Sequence, residues 1–201
     1  MAFTPPPNAG LPARLRRWAG SLLLGAGAAV AQAPPAEAPL TLRIVGGLAS
    51  VNQYTRQEEP FWTQRLPALT RGRVRADVVP FDRAGIRGQD MLRLLQAGAV
   101  PFGTALLSLS ATEDPLVGLV DLPGASPDMA ALRQAVTAFR PVLARHLKQQ
   151  FGIELLAVYA YPAQVTFCRQ PLATLADLAG RRVRVSSPQQ ADLVEALGAA
   201  P

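Results

Sequence analysis

Residues 73–81 read RVRADVVPF, and this short stretch decides the class of fold. The side chains of Val74, Ala76 and Val78 fall on one face of an extended chain, and those of Arg73, Arg75 and Asp77 fall on the other. The pattern predicts a β-strand with one face in water. A second strand is predicted at residues 40–46 (LTLRIVG), and an amphipathic helix at 54–70 separates the two. Two strands joined by a helix are typical of a parallel β-sheet.

The chain beyond residue 81 continues to alternate strand and helix signals. A helix is expected to start at Ser126 as its N-cap and to stop at Gly152, and a last helix starts at Ser187 and continues to the end of the chain. We therefore predict an α/β fold with a mostly parallel sheet flanked by helices. The remaining predicted elements are a helix at 88–97, strands at 100–109, 116–122, 153–168 and 181–185, and a one-turn helix opened by a capping box at 174–177.

The N-terminus has the features of an export signal. Arginines precede an apolar stretch at 19–30 that is too short for a stable membrane anchor, and Ala29-Val30-Ala31 fits a cleavage site. We predict a signal peptide at 1–31, a Pro/Ala linker at 32–39 and a folded domain at 40–201. An uncleaved anchor and export by the twin-arginine route remain alternatives. Cleavage would take three arginines from a formal net charge of +6, which weakens any argument for nucleic-acid binding.

Several kinds of functional site are excluded by composition. The chain has one cysteine, Cys168, and one histidine, His146, so it has no disulfide framework and no metal site built mainly on those residues. It also lacks the G-x-S-x-G elbow, the P-loop and the Rossmann glycine pattern. The sequence thus predicts no cofactor and no metal, and it favours binding over catalysis.

The C-terminal part carries a family resemblance. Residues 171–185 (PLATLADLAGRRVRV), followed by 194–200 (VEALGAA), resemble the dicarboxylate-binding solute receptors of tripartite ATP-independent periplasmic (TRAP) transporters. The Leu95-Gln96-Ala97-Gly98 run and the order of elements from residue 40 onward are also similar to that family.

The resemblance implies a periplasmic-binding-protein-like fold of two α/β lobes closing on a ligand. It implies a periplasmic receptor that captures a small organic acid and delivers it to the permease subunits of an ion-gradient-driven transporter. The chain is short for two lobes, so we expect a first lobe that is nearly complete and a second that is only partly present. An exported α/β enzyme and a truncated remnant that binds nothing are the alternatives.

Arg184 is the first predicted ligand contact, because the resemblance places the family's carboxylate-binding arginine there. A guanidinium at a strand end can bind both carboxylate oxygens, although a solvated surface arginine has the same pattern. Arg169 is a second candidate cation, or a loop arginine paired with Asp177. The remaining predicted contacts are Gln164 and Tyr161, which flank Pro162, and Asn52 and Tyr54, which follow the first strand, where ligands of open α/β sheets bind.

Overall fold

A computed structural model describes residues 38–201. The predicted signal peptide at 1–31 and most of the predicted linker at 32–39 lie outside the described residues. Three parallel strands form one sheet: β1 (Leu40–Gly46), β2 (Val74–Pro80) and β3 (Phe102–Gly103), in the order β2-β1-β3. β1 and β2 pair along their whole lengths, which confirms both predicted strands.

The first crossover is a continuous helical stretch in which α and π hydrogen bonding alternate. Turns with π-helical hydrogen bonding at Tyr54–Glu58 and Phe61–Arg65 lead into the short helix α1 (Leu66–Leu69). Pro60 and Pro67 have no amide hydrogen, so this stretch cannot complete a regular hydrogen-bond ladder. The predicted helix at 54–70 is confirmed as a helical stretch over residues 52–69, with two π-helical segments in it.

The chain after β2 departs from the predicted strands. The helix predicted at 88–97 is present as a 3₁₀ turn at Gly88–Asp90 and helix α2 (Met91–Gln96). The predicted strand at 100–109 is wrong in its second half, because β3 ends at Gly103 and helix α3 (Leu107–Ser110) follows. The extended piece predicted at 116–122 is a 3₁₀ helix over Pro115–Asp121. Asp114 accepts a hydrogen bond from the Leu116 N–H and Pro115 follows it, which is a local start signal for a helix.

The long helix α4 (Met129–Phe151) starts two residues later than predicted. Asp128, not Ser126, is its N-cap, and its carboxylate accepts the N–H groups of Ala130 and Ala131 at 2.8 Å. The helix ends at Gly152, which takes the left-handed conformation with φ of 68° as the sequence predicts.

The segment 153–170 is extended but forms no strand, so the prediction for 153–168 is wrong. It pairs with neither β2 nor β3, the two outer strands of the sheet. The strand predicted at 181–185 is reduced to one parallel bridge between Arg182 and Ala200.

The C-terminal elements are a helical turn and one helix. The capping box of Thr174 and Asp177 opens a 3₁₀ turn at Leu175–Leu178, as predicted. Helix α5 (Pro188–Ala196) ends before the chain does, contrary to prediction, because Gly198 adopts φ of 74° and turns the chain back.

Three groups of buried side chains hold these elements together. The first group joins α2, α3, α4 and the 3₁₀ helix at Pro115–Asp121. The second group lies under the carboxyl ends of β2 and β3. The third group packs α5 on the 175–178 turn. Phe167, by contrast, is 91 % exposed. No helix in residues 38–201 combines the length and the apolar character that a membrane span requires. The buried members are Leu92, Ala111, Val117, Leu143 and Leu147 in the first group, Phe81, Met91 and Val100 in the second, and Leu178, Val194 and Ala199 in the third.

Candidate functional site

A buried carboxylate lies at the carboxyl end of β1. Glu58 is only 8 % exposed. Its Oε2 accepts the Gly47 N–H at 3.0 Å and the Tyr159 hydroxyl at 3.1 Å, and its Oε1 accepts the Thr104 hydroxyl. One side chain thus joins the loop after β1, the residue after β3 and the extended segment more than 100 residues away.

Two tyrosines of the extended segment cover this edge of the sheet. The rings of Tyr159 and Tyr161 stack with centroids 5.9 Å apart, and the Tyr161 oxygen accepts the Leu48 N–H at 3.4 Å. Burial raises the pKa of the Tyr159 hydroxyl above its usual range, and the charge of Glu58 adds to the rise. Burial also raises the pKa of Tyr161. Both hydroxyls therefore stay protonated at neutral pH.

Two glycines make this close approach possible. A Cβ at Gly47 would collide with the Tyr161 hydroxyl and lie 3.1 Å from Glu58 Oε2. A Cβ at Gly46 would lie 2.6 Å from the Tyr54 ring. The Gly46-Gly47 pair, which in sequence marks only the end of a strand, therefore lets side chains pack directly on the backbone.

Of the two ligand contacts predicted in the loop after β1, one is exposed and the other is buried. Asn52 is exposed, whereas Tyr54 is 3 % exposed and packs beneath Gly46. Burial raises the pKa of Tyr54 to about 12, and the nearby charges of Glu59 and Glu58 add to the rise. In this structure Tyr54 supports the loop rather than facing a pocket. Gln164 and Arg169 lie exposed in the extended segment.

The alternative reading of Arg169, an ion pair with Asp177, is not what the structure shows. Asp177 accepts the N–H groups of Ala173 and Thr174 at 2.7 and 2.9 Å. These backbone hydrogen bonds lower the pKa of Asp177. The carboxylate is thus used to cap the 175–178 turn.

Arg184 lines an open pocket of about 440 Å³. Among the described residues that line the pocket, Arg184 alone has an ionisable side chain, and the others carry amide, hydroxyl and apolar groups. Ser187 caps α5 by accepting the Gln190 N–H at 3.2 Å, so the wall on the Arg184 side is held by the start of that helix. The residues that line the pocket are Gln89, Leu109, Thr112, Arg184, Val185, Ser186, Ser187, Pro188 and Ala191.

The opposite wall of this pocket adjoins the carboxyl end of β2. A Cβ built at Gly88 would lie 2.6 Å from Leu109 and 3.6 Å from the Phe81 ring, so these three residues are in contact. Gln89 follows Gly88 directly, and Phe81 follows β2. The pocket therefore lies on the side of the sheet where open α/β folds bind ligands.

A second pocket, of about 320 Å³, lies on a face of the sheet itself. Arg43 and Val45 of β1 and Asp77 and Val79 of β2 line it. Arg43 and Asp77 are register partners within the strands, not residues at the strand ends. This position is unlike that of ligand sites in parallel sheets. Within residues 38–201, no cluster of three or more His, Cys, Asp or Glu side chains is placed to hold a metal ion.

Comparison with known proteins decides the family. A family model described as bacterial extracellular solute-binding protein, family 7, matches residues 46–201. The chain belongs to this family. No curated protein matches the chain significantly.

Solved structures agree with the family assignment. A Bordetella pertussis extracytoplasmic solute receptor, DctP7, which binds pyroglutamic acid, has 26 % identity and a TM-score of 0.69 over 80 % of this chain and 52 % of its own. A Haemophilus influenzae TRAP receptor with bound L-gulonate has 16 % identity and a TM-score of 0.68 over 81 % and 53 %. A Pseudomonas aeruginosa TRAP receptor with bound L-malate has 19 % identity and a TM-score of 0.66 over 81 % and 56 %. The chain thus spans about half the length of these solved relatives.

The family and its solved members confirm several predictions from the sequence. The resemblance to TRAP solute receptors and the α/β fold with a parallel sheet flanked by helices are both correct. The family consists of binding proteins, so the preference for binding over catalysis is confirmed at that level. The roles of the individual site residues stay predictions.

Sequence reasoning missed Glu58, whose side chain joins three separate segments of the chain. Glu58 stands in a Gln-Glu-Glu-Pro run that has the composition of a solvated helix face, so nothing local marks it as buried. It also missed Gln89, in the 3₁₀ turn at Gly88–Asp90, and Thr112, just after α3, which reach the Arg184 pocket only because that turn and α3 pack on each other. The adjacent Gly46-Gly47 pair was the available signal, because paired glycines after a strand indicate close approach of other groups.

Proposed function

We propose that this chain is the solute-binding component of a TRAP transporter. It captures a small organic acid in the periplasm, after export by the predicted signal peptide, and delivers it to a membrane permease driven by an ion gradient. The observation that carries the proposal is Arg184, the single ionisable side chain among the described residues that line a pocket beside the carboxyl end of β2. Membership of the solute-binding family and the organic acids bound by solved relatives support it.

The chemistry of the pocket fits a carboxylate. The Arg184 guanidinium offers parallel N–H donors to both oxygens of one carboxylate, and Thr112 and Gln89 supply neutral hydrogen-bonding groups around it. A volume of about 440 Å³ suits an acid of a few carbon atoms to a small ring. Binding needs no chemical step on the ligand, and transport then depends on different affinities in open and closed forms.

Pyroglutamate is the first ligand to test, because the solved receptor at 26 % identity binds it. The other predicted contacts, Asn52, Tyr161, Gln164 and Arg169, are proposed as further ligand or cleft residues. Of these, Tyr161 already contacts the loop after β1, through Leu48. Tyr54 is proposed to act on the ligand only through the loop that it supports.

The decisive experiment compares Arg184→Ala with Arg182→Ala. Arg182 is exposed, stands two residues away and does not line the pocket, so it is a matched control. NMR titration of the chain with pyroglutamate, malate and gulonate measures even weak affinities. We expect Arg184→Ala to weaken binding of the preferred acid by about 10-fold to 100-fold, the range for hydrogen bonds to a charged group, and Arg182→Ala to leave it unchanged.

Two results would contradict the proposal. Equal affinity of the parent chain and of Arg184→Ala would show that the pocket arginine does not hold the carboxylate. Binding of none of the acids by the parent chain, with its fold verified by circular dichroism, would show that this chain is not a receptor by itself.

A further inference from the structure

One face of the parallel sheet is exposed to solvent. In β2 the exposed residues are Arg75, Asp77 and Val79, and the residues between them are half-buried. Thr41 and Arg43, the exposed register partners on β1, lie on the same face. Parallel sheets in α/β proteins are almost always covered by helices on both faces. These five residues, called the open face below, are therefore exposed where such a sheet normally carries a helix.

The opposite face of β2 is covered by the chain itself. Its half-buried side chains are Val74, Ala76 and Val78. The helical segments Phe61–Arg65 and Leu66–Leu69 pack against this strand. The same strand thus has a helical layer on one face and solvent on the other.

An apolar pocket of about 320 Å³ continues the open face. Val45 and Val79 line it from the two strands, and Ala84, Val100 and Pro101 line it from the segments after β2 and before β3. Val79 is 46 % exposed although it is apolar. A helix is about 10 Å wide, and neighbouring strands lie about 4.8 Å apart, so one helix can cover β1 and β2 together. The pocket then has room for apolar side chains of that helix.

The open face is basic. It carries Arg43 and Arg75 beside Asp77, and the exposed Arg73 directly precedes β2. Among residues 38–201, none of these four side chains makes an ion pair within 4 Å. Covering unpaired guanidinium groups with an apolar partner would remove them from water without compensation. A partner that covers this face must therefore bring carboxylates.

Two other occupants do not fit this charge. Residues 1–37 carry three arginines (Arg14, Arg16 and Arg17) and one acid, Glu37, so that segment is itself basic. A second copy of the chain, paired through the same face across a two-fold axis, would bring arginines toward arginines. Like charges that face each other across an interface are unfavourable.

We propose that the open face is a docking surface for an acidic amphipathic helix of a partner protein. The apolar side of that helix lies on Val45 and Val79, and its carboxylates pair with Arg43 and Arg75, each pair making two parallel hydrogen bonds. A strand of 7 residues spans about 23 Å, which is the length of about 16 residues of helix. The inference goes beyond the proposed function, because it needs neither Arg184 nor an organic acid.

NMR titration of the isotope-labelled chain with two synthetic peptides tests the surface. Both peptides are helices of about 16 residues with leucine along one side, and they differ in carrying glutamate or lysine on the flanks. We expect the glutamate peptide to bind at least about tenfold more tightly than the lysine peptide. Its signal changes should centre on residues 41–45 and 75–79, and its affinity should fall as salt is added.

Variants locate the contact. Arg75→Glu should weaken binding of the glutamate peptide by about tenfold or more. Arg145→Glu is the matched control, because it changes the net charge equally at an exposed position of α4 and should leave the affinity unchanged. Val79→Ser should also weaken binding, which attraction between charges alone would not produce. If Arg75→Glu does not fold, Arg73→Glu decides the same question outside the strand.

Four results would overturn the inference. The first is equal affinity for the two peptides or signal changes away from the open face, and the second is no binding by the folded parent chain. The third is binding to phosphatidylglycerol vesicles that Arg75→Glu abolishes, which would make the face a membrane contact. The fourth is a dimer in sedimentation that Arg75→Glu dissociates, which would make it a contact between copies. None of these results bears on the proposed function, which Arg184→Ala tests separately.

Discussion

Removing the Glu58 carboxylate should destabilise the folded chain, and the structure indicates by how much. Glu58→Ala takes the acceptor away from three donors, which belong to Gly47, Thr104 and Tyr159. The Gly47 N–H is the buried one, and a hydrogen bond to a charged acceptor contributes about 1.5–3 kcal/mol. The two hydroxyls are only partly buried and can bind water instead, so each loses about 0.5–1 kcal/mol. Because a buried carboxylate also carries a desolvation cost that its removal returns, the expected net loss is about 2–4 kcal/mol.

Urea and thermal unfolding followed by circular dichroism measure this loss. A chain of this size should lose about 2–4 °C of Tm for each kcal/mol, so Glu58→Ala should unfold roughly 5–15 °C below the parent. Glu59→Ala is the matched control, because Glu59 is exposed and accepts only the Tyr54 hydroxyl at 3.5 Å. A Glu58→Ala chain as stable as Glu59→Ala would refute the view that this carboxylate holds the extended segment on the sheet.

Two further predictions concern the core and the tyrosines. Leu143→Ala should lower the free energy of unfolding in urea by about 2–5 kcal/mol, because Leu143 is 1 % exposed. Val142→Ala is the control and should lower it by under about 1 kcal/mol, because Val142 is 42 % exposed. Equal losses would show that Leu143 does not lie in the core. Each of the chain's 3 tyrosines has a raised pKa, and that of Tyr54 is about 12. Tyrosine in the unfolded chain ionises near pH about 10, so the free energy of unfolding should be unchanged below that pH and should fall as the pH rises toward 12. Tyrosinate absorbance should rise together with unfolding, and an earlier rise in a folded chain would contradict this.

The elements predicted correctly are those specified by local signals. The alternation in 40–46 and 73–81 produced β1 and β2, and Gly152 stopped α4. The capping box at Thr174 formed its turn. Each of these signals acts over one or two turns of chain, so neighbours in the sequence are enough to specify it.

The wrong predictions concern β-branched and apolar runs without a partner. The run at 153–168 has strand composition, but a strand exists only when another strand pairs with it, and this run pairs with neither edge strand of the sheet. At 107–110 and 115–121 the chain forms helical turns, and their apolar residues share one core with α4. Boundaries of this kind depend on tertiary packing.

The candidate site also combines a residue that the sequence indicates with residues that only tertiary packing brings there. Arg184 could be singled out from a family pattern within a dozen residues, and it lines a pocket. Gln89 and Thr112 reach that pocket through the packing of the Gly88–Asp90 turn on α3, and no periodicity in the sequence connects them with Arg184.

The sequence alone determined that this is an α/β chain of the solute-binding type and that its basic excess lies partly in the predicted export signal. It determined these because strand alternation, helix caps and a short family motif are local properties. The tertiary structure alone decided that Glu58 is buried and joins Gly47, Thr104 and Tyr159. Hydrogen bonds between residues as many as 101 positions apart depend on where the folded backbone brings donors and acceptors together, and a carboxylate in the sequence carries no mark of the partners it will find.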